Sequence, residues 1–425
     1  MTYINTLGNR LKRGLLKFSE KVSKGLPKPA RKFVAEMVYG IAASNSCKLT
    51  EIGRALKEDI PLKKSVDRLS RNLANFSHSE IVMNNLVAAV RPSLGSNTML
   101  LLDPSDVTKP CSPKMEAIGK VYDASTGKFA QGYWTMGVVA LTEENQQPVP
   151  VYERLYPCKK QGGAGGTEET KKALQHLREH FGPEIPRVLD RGFDAEGYFR
   201  EFFAHDEKFI LRQNQNRVAI HHGKRTCIDE IVRGLDCTHE LSFRGKYGLS
   251  KCRIGMTTVA LPNMGNLKMN LAVCKGIGAK PLALYTNLDE TLDTLAVRVV
   301  KAYLMRWRIE EFYAFKKQAL HFEDFRVRGL KSIQALDLLL TIAAAYIGLL
   351  SANASSDPFV VRLIQLSKRV ERLASFLKNT KFFYYALADA VSRSLACLNP
   401  RLSRFYSSPS LPSPQLCFAD FVKMG

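Results

Sequence analysis

The chain has 425 residues, of which 45% are hydrophobic and 24% charged, and these proportions exclude a disordered or fibrous protein. Its length predicts two to four domains. A formal net charge of +22 indicates a partner that is a polyanion or a membrane surface. The nine cysteines form no CxxC pair, which disfavours a zinc ribbon and favours free thiols in a reducing cytoplasm.

Residues 1–95 are predicted to be helical. Apolar residues recur at helical spacing, for example through 33–43 and 81–90, and prolines separate these stretches. The stretches 48–57 and 65–73 would either form a helix-turn-helix-like unit or belong to a plain helical bundle. The sequence leaves both interpretations open.

The middle of the chain begins with a strand that is predicted to be buried. Met99–Leu102 is a short apolar run, and it ends at Asp103. Residues 132–141 and 149–156 have the composition of strands and are joined by a polar turn, so they are predicted to pair as a hairpin. A helix is then predicted from Thr167 to Phe181, where Gly and Pro follow.

A second short strand, Arg187–Asp190, also ends in an aspartate. A helix is predicted over 195–205 and a further strand over 208–212. Residues 217–286 contain apolar and β-branched stretches separated by Gly and Asn turns, which predicts a β-rich segment.

The last part of the chain is predicted to be helical. One long helix is expected from Glu290 to about Arg326. The apolar run Leu338–Leu350 is shorter than the ~20 residues that span a bilayer, so it is predicted to be a buried core helix. A basic, mostly helical region follows over 356–425, with a Pro/Ser-rich loop at 408–414.

The long helix carries an acidic residue among residue types that bind phosphate. At about 100° per residue, four of its side chains fall within an arc of about 60°. An ion-paired surface helix explains a Glu near Lys and Arg, but it does not explain a Tyr on the same stripe. The stripe therefore indicates a site for a phosphate-bearing ligand. Its members are Tyr303, Arg306, Glu310 and Lys317.

Three acids follow one another in an order that suits metal-assisted phosphoryl transfer. Asp103 and Asp190 would end adjacent strands of one mixed sheet, and Glu310 would face them from a helix. Oxygen ligands without His or Cys favour Mg²⁺ or Mn²⁺. Two such ions activate a water or a 3′-hydroxyl and stabilise the leaving oxygen. The sequence also contains a rival for each acid, namely Asp106, Asp194 and Glu311.

These residues resemble the DDE transposases of bacterial insertion sequences, specifically the insertion-sequence-four branch. The signature of that branch is Tyr, two residues, Arg, three residues, Glu, six residues and Lys. It is met here at Tyr303, Arg306, Glu310 and Lys317. The segments 188–194 and 208–212 also resemble the family, whereas 101–107 matches more loosely. The resemblance spans about residues 97–350.

The resemblance implies an α/β protein with an RNase H-like catalytic core, a β-rich insertion and helical N- and C-terminal regions. Asp103, Asp190 and Glu310 would hold two Mg²⁺ or Mn²⁺ ions. DNA phosphates would be bound by Tyr303, Arg306 and Lys317. The implied domains are a helical DNA-binding region over 1–95, the two parts of the core over 96–216 and 287–355, the insertion over 217–286, and a C-terminal region for dimerisation or DNA contacts over 356–425.

The same resemblance implies a bacterial, cytoplasmic enzyme associated with the nucleoid, and no membrane partner is expected. It would act as a homodimer on double-stranded DNA, cut the terminal inverted repeats of its own insertion sequence, and join the freed 3′-OH ends to target DNA. Two alternatives stay open: a metal-dependent nuclease without strand joining, and a non-catalytic DNA-binding regulator.

Relatives that cut through a hairpin intermediate can flip a base onto a tryptophan of the insertion. Here both tryptophans, Trp134 and Trp307, lie outside that segment. Aromatic residues within it offer alternative stacking faces. These are Phe243, Tyr247 and Tyr285.

Overall fold

A computed structural model gives the fold over residues 3–158, 162–163, 165–214, 216–245, 248–289 and 292–398. The chain divides into two compact units. The first unit comprises Met1–Asn97, Pro104–His180 and Glu310–Gly425, and the second comprises Thr98–Asp103 and Phe181–Ile309. Three sequence predictions lie outside the described residues: Tyr247, the start of the long helix at Glu290, and the region from 399 onward with its Pro/Ser-rich loop.

The first unit begins with five helices, which agrees with the prediction that residues 1–95 are helical. Helix α1 shows why they form: Leu11, Leu15, Phe18 and Val22 recur every three or four residues, and all four are buried. Pro27 and Pro61 precede α2 and α4, where the missing N–H is not needed. The bounds are α1 Tyr3–Val22, α2 Lys28–Ser44, α3 Leu49–Leu56, α4 Leu62–Ala74 and α5 Ser79–Val90.

The strands of the first unit include the predicted hairpin. Strands β3 and β4 pair antiparallel, from Trp134 opposite Tyr156 to Leu141 opposite Pro148. Strand β2 pairs with the other end of β3, and the helix predicted after the hairpin is α6. The bounds are β2 Gly119–Asp123, β3 Lys128–Leu141, β4 Pro148–Tyr156 and α6 Gly166–His180.

The C-terminal part of the first unit is helical. Helix α11 is long and apolar enough to cross a membrane by length and composition, but 94% of its most apolar window is buried inside the protein. The prediction of a buried core helix is therefore confirmed. The bounds are α11 Leu330–Ala352, α12 Pro358–Gln365, α13 Leu373–Asn379 and α14 Tyr384–Ala396.

The second unit is a mixed sheet with helices. Its strands lie in the order β1, β5, β6, β12, β11, β10, β7 and β8, and β9 pairs with β10. The bounds are β1 Leu100–Thr108, β5 Arg187–Leu189, α7 Glu196–Ala204, β6 Phe209–Arg212, β7 Val218–His221, β8 Lys224–Cys227, α8 Ile228–Gly234, β9 His239–Gly245, β10 Gly248–Leu261, β11 Leu267–Lys275, β12 Leu282–Thr286 and α9 Leu292–Leu304.

Strand β1 is longer than the sequence predicts. It continues past Asp103 to Thr108, and its residues from Pro104 onward belong to the first unit. The ladder with β5 uses only Leu100 to Leu102, so Pro104, which lacks an N–H, removes no bond from that ladder. Proline therefore marks the end of one pairing and not the end of the strand.

The β-rich segment predicted over 217–286 is confirmed in its secondary structure, and it joins the rest of the unit by pairing. Its last strand, β12, lies antiparallel to β6, with Tyr285 opposite Leu211. The sequence reading did not foresee this ladder, because pairing between distant strands leaves no local pattern.

The prediction of one long helix over 290–326 is wrong. Helix α9 ends at Leu304, and α10 spans Trp307–Gln318. Between them the backbone forms tight turns, in which the N–H of Arg306 donates to the carbonyl of Tyr303 at 2.9 Å and the N–H of Ile309 donates to that of Arg306 at 3.1 Å. No Gly or Pro marks this break. The arc of about 60° inferred for one continuous helix therefore does not apply to side chains on the two sides of the break.

Candidate active site

The site is built on two aspartates that come directly after the paired residues of the parallel β1–β5 ladder. In the β1–β5 ladder Leu102 lies opposite Leu189, so the next residues, Asp103 and Asp190, are neighbours. Carboxyl ends of parallel strands meet at one edge of a sheet, which is where α/β proteins bind ligands. The prediction that the two aspartates belong to adjacent strands of one mixed sheet is confirmed, although Asp103 lies within β1 and does not end it.

Arginines balance the charge of this pair. Arg306 Nη1 donates to Asp103 Oδ2 at 3.0 Å, and its Nε lies 4.0 Å from Asp190 Oδ1. Arg212 Nη1 lies 3.7 Å from the same Asp190 oxygen. Two carboxylates this close repel each other, and a largely buried guanidinium between them offsets that repulsion.

Tyr303 completes this part of the site. Its hydroxyl donates to Asp190 Oδ1 at 2.7 Å. Burial and the adjacent carboxylate raise the pKa of Tyr303 to about 12, so the phenol keeps its proton near neutral pH. Burial by itself would raise the pKa of Asp190, but the Tyr303 bond, a backbone N–H and the charges of Arg306 and Arg212 outweigh it and lower that pKa.

The other two members of the signature lie on α10, in residues of the first unit. Glu310 is in the first turn of this helix. Lys317 is two turns further on and donates to Asp106 Oδ2 at 2.8 Å, with Glu323 Oε1 at 3.2 Å. The structure therefore brings Asp103, Asp190, Tyr303 and Arg306 together, and the meeting of Glu310 with the two aspartates stays a prediction.

Two rivals that the sequence left open have other roles. Asp106 is buried and pairs with Lys317. Asp194 is fully buried, forms a short ion pair with Arg217 and accepts the N–H of Asn214 at 2.7 Å. A buried carboxylate that is held in an ion pair contributes to the stability of the fold. The geometry therefore favours Asp103 and Asp190 over these rivals as site residues.

The two aspartates fit Mg²⁺ or Mn²⁺ by their donor chemistry, since both ions prefer carboxylate oxygens. Among the described residues, no group of three or more His, Cys, Asp or Glu side chains is arranged to hold a metal ion. The metal site of Asp103, Asp190 and Glu310 therefore stays a prediction.

Sequence reasoning missed Arg212 as a site residue. It follows Leu211, which lies opposite Leu189 in the parallel β5–β6 ladder, so the register that positions Asp190 also positions Arg212. The signal was present in the sequence, because a short apolar run followed by a charged residue occurs three times: at Asp103, Asp190 and Arg212. The third of these residues differs from the first two in carrying a positive charge.

A basic cleft of about 680 Å³ lies in the first unit. Its floor is fixed by Lys109, whose Nζ donates to the carbonyls of Glu323 at 2.7 Å and Phe325 at 2.8 Å. Lys48 pairs with Asp324 at 2.9 Å. Three further cations of the lining have no acidic partner among the described residues, and this leaves the cleft positive. They are Lys114, Arg326 and Arg328.

The fold and the site define a mixed α/β protein with a carboxylate pair directly after the parallel ladder of two strands. No family model matches the chain. The chain is similar in structure to a piggyBac transposase solved by cryo-EM in a synaptic complex with hairpin DNA, with a TM-score of 0.42 and 12% identity over 95% of this chain and 83% of that one. A likeness of this size assigns neither family nor function, and the proposals below rest on the residues of this chain.

Proposed function

We propose that this chain is a DNA transposase of the insertion-sequence-four type. It would cleave the ends of its own insertion sequence and join the freed 3′-OH ends to target DNA. The main support is the β1–β5 register, in which Asp103 and Asp190 are neighbours and are contacted by Arg306 and Tyr303. A second support is the sequence signature, which is the spacing of Tyr303 and Arg306 from Glu310 and Lys317 along the chain.

The metal ligands of the proposal are Asp103, Asp190 and Glu310, which would hold two Mg²⁺ or Mn²⁺ ions. When bound, such ions supply an activated water or 3′-hydroxyl and stabilise the leaving oxygen of an in-line displacement. The protein's own part includes keeping Asp190 ionised. The low pKa of Asp190 serves this purpose, because an ionised carboxylate is the form that binds a cation.

Tyr303, Arg306 and Lys317 would bind phosphates beside the scissile bond. Tyr303 donates its one hydroxyl proton to Asp190 and so orients that carboxylate, and binding a phosphate would require that proton to turn away from Asp190. Arg306 is largely buried and always charged, which makes it suited to a phosphate oxygen in a partly dry site. Lys317 adds a point charge from α10.

Double-stranded DNA is the proposed substrate, both the terminal inverted repeats and the target. The net charge of +22 and the basic cleft around Lys114 and Arg328 favour a phosphodiester backbone. By the same proposal the enzyme acts as a homodimer on DNA, with an RNase H-like core, in the bacterial cytoplasm near the nucleoid.

The test is cleavage of a plasmid that carries the DNA flanking the gene, with Mg²⁺ or with EDTA. Glu310→Ala is compared with wild type, and Glu311→Ala serves as the matched control because it removes the neighbouring carboxylate of the same helix. We expect Mg²⁺-dependent cuts at the element boundary with wild type and Glu311→Ala, and none with Glu310→Ala, while gel-shift binding persists in all three.

The outcomes separate the alternatives. Full cleavage by Glu310→Ala refutes the proposed site, and loss of cleavage in Glu311→Ala alone transfers the role to that residue. Cuts without joined products indicate a nuclease without strand transfer. Binding without cuts under any condition indicates a non-catalytic regulator.

A further inference from the structure

Strand β2 and the start of β3 form a two-stranded ribbon with one exposed aromatic face. Tyr122 lies directly opposite Phe129, and Lys120 opposite Gln131, so these four side chains share a face. The other face carries Val121, which is buried. The rings of Tyr122 and Phe129 are 5.5 Å apart at 73°, an edge-to-face pair.

This pair is unusual because it is left in solvent. Tyr122 is 47% exposed and Phe129 is 64% exposed. Few large hydrophobic side chains in the described part of the chain are exposed to this degree, and two of them here are direct cross-strand partners. Aromatic rings held together in water indicate a surface that binds something.

The tip of the ribbon is built to be rigid. The Asp123 carboxylate accepts the N–H of Ser125 at 2.9 Å and the hydroxyl of Thr126 at 2.8 Å. The N–H of Gly127 donates to the carbonyl of Asp123 at 2.9 Å, and Gly127 has a φ of +70°, which glycine adopts without strain. A rigid tip reduces the entropy lost when the aromatic face binds a partner.

The charge beside the rings is positive. Lys120 Nζ lies 4.5 Å from the centre of the Phe129 ring, and Lys120 has no acidic partner among the described residues. Lys128 is exposed but belongs to the other face, where it lies opposite Asp123 in the ladder. The one acid of the ribbon, Asp123, has its oxygens turned to the tip. Exposed rings beside a lysine that has no acidic partner are the composition of a nucleic-acid stacking surface.

We propose that this ribbon binds unpaired DNA bases, with Tyr122 and Phe129 as stacking faces and Lys120 as a contact to a flanking phosphate. The inference rests on the proposed function for the choice of DNA as partner. Bases offer their flat faces only when they are not stacked in a duplex, so the ligand is single-stranded or frayed DNA. The ribbon is far in sequence from the signature and is independent of it.

The experiment measures fluorescence anisotropy with a labelled oligothymidylate and a duplex of equal length, in EDTA so that cleavage plays no part. Tyr122→Ala/Phe129→Ala is compared with wild type. Val218→Ala is the control, since Val218 is another exposed hydrophobic side chain, 41% exposed, on strand β7. Tyr122→Phe tests whether the ring alone suffices, and circular dichroism checks that each variant is folded.

We expect the double alanine variant to lose about 10-fold or more in affinity for the single strand, given that each base stack contributes ~1–3 kcal/mol. Duplex affinity should change by less than about twofold, which is less than the loss of one base-stacking contact would cause. Val218→Ala and Tyr122→Phe should bind like wild type.

Equal losses on both probes, or no loss on either, overturn the inference. A wild-type dimer that becomes monomeric in the double alanine variant by sedimentation also overturns it, because the face then binds a second copy. Wild type that binds duplex but no single strand refutes this inference alone, whereas wild type that binds no DNA refutes the transposase proposal as well. Single-strand binding without any end cleavage leaves the inference standing and refutes only the proposed reaction.

Discussion

Lys316 is the residue whose replacement we expect to destabilise the protein most clearly. It is fully buried and donates to Glu153 Oε1 at 2.5 Å, Asp337 Oδ1 at 2.7 Å and Thr341 Oγ1 at 3.0 Å. Thr341 in turn donates to Glu153 Oε2 at 2.8 Å. This network joins β4, α10 and α11 inside the first unit, one residue before Lys317 in the chain.

The substitution Lys316→Met keeps the side-chain length and removes the charge. It leaves Glu153 and Asp337 buried without their cation. Removing one partner of a buried ion pair costs about 3–5 kcal/mol, because the remaining charge is not solvated. A carboxylate can relieve part of this cost by taking up a proton. We therefore expect the loss to be larger at pH 8 than at pH 5.

The assay is urea unfolding followed by circular dichroism at both pH values. The matched control is Lys331→Met, which removes an exposed lysine from the neighbouring helix α11 and should change the free energy of unfolding by less than about 0.5 kcal/mol. A second variant replaces Lys316, Glu153 and Asp337 together by apolar residues of similar size. It should recover most of the stability, since no unpaired charge remains.

A loss of unfolding free energy below about 1 kcal/mol for Lys316→Met would refute the reasoning, because removing the cation of a buried ion pair costs more than that. A loss that is the same at pH 5 and pH 8 would refute it as well. A triple variant no more stable than Lys316→Met would show that the charges were not the cause. In that case the packing of the lysine stem against Phe322, whose ring centre is 4.7 Å from Nζ, is the term that matters.

Three further predictions concern pH, catalysis and DNA binding. Burial raises the pKa of Asp337 to about 7 against the opposing charge of Lys316, so the stability contributed by its protonated form is present at low pH and is lost as the pH rises through 7. Thermal unfolding of Asp337→Asn should lack that decline. Lys317→Ala should lower end cleavage at least about 10-fold with little change in DNA binding, and a collapse of the fold would show instead that its bond to Asp106 is structural. The dependence of log K on log salt should be steep, and Arg328→Ala should reduce the slope by about 1 in a salt titration, whereas an unchanged slope places the DNA elsewhere.

Local pattern was enough to predict most elements of the chain. The five N-terminal helices, the β3–β4 hairpin and the burial of α11 follow from the spacing of apolar residues, which is a property of neighbours in sequence. The sequence also contains two short apolar runs that are each followed by an aspartate, Asp103 and Asp190. This pattern predicted that the two aspartates are neighbours. Chain order restricts which parallel strands pair, so this long-range contact was accessible from the sequence.

Other features depend on contacts between distant residues. The break between α9 and α10 separates Tyr303 from Glu310 without any Gly or Pro, and so the single helical stripe inferred from the sequence does not exist. The burial of Lys316 beside the partly exposed Lys317 has the same origin, since two adjacent lysines differ only in what packs on them.

The sequence by itself determined the identity of the chemical groups and their order along the chain. The tertiary structure decided which of them meet. It paired Arg306 with Asp103, left Asp106 and Asp194 to support the fold, and brought Arg212 to Asp190 through the β5–β6 register. The reason is physical: side-chain type and periodicity are local, whereas burial and ion pairing are set by chain segments far apart in sequence.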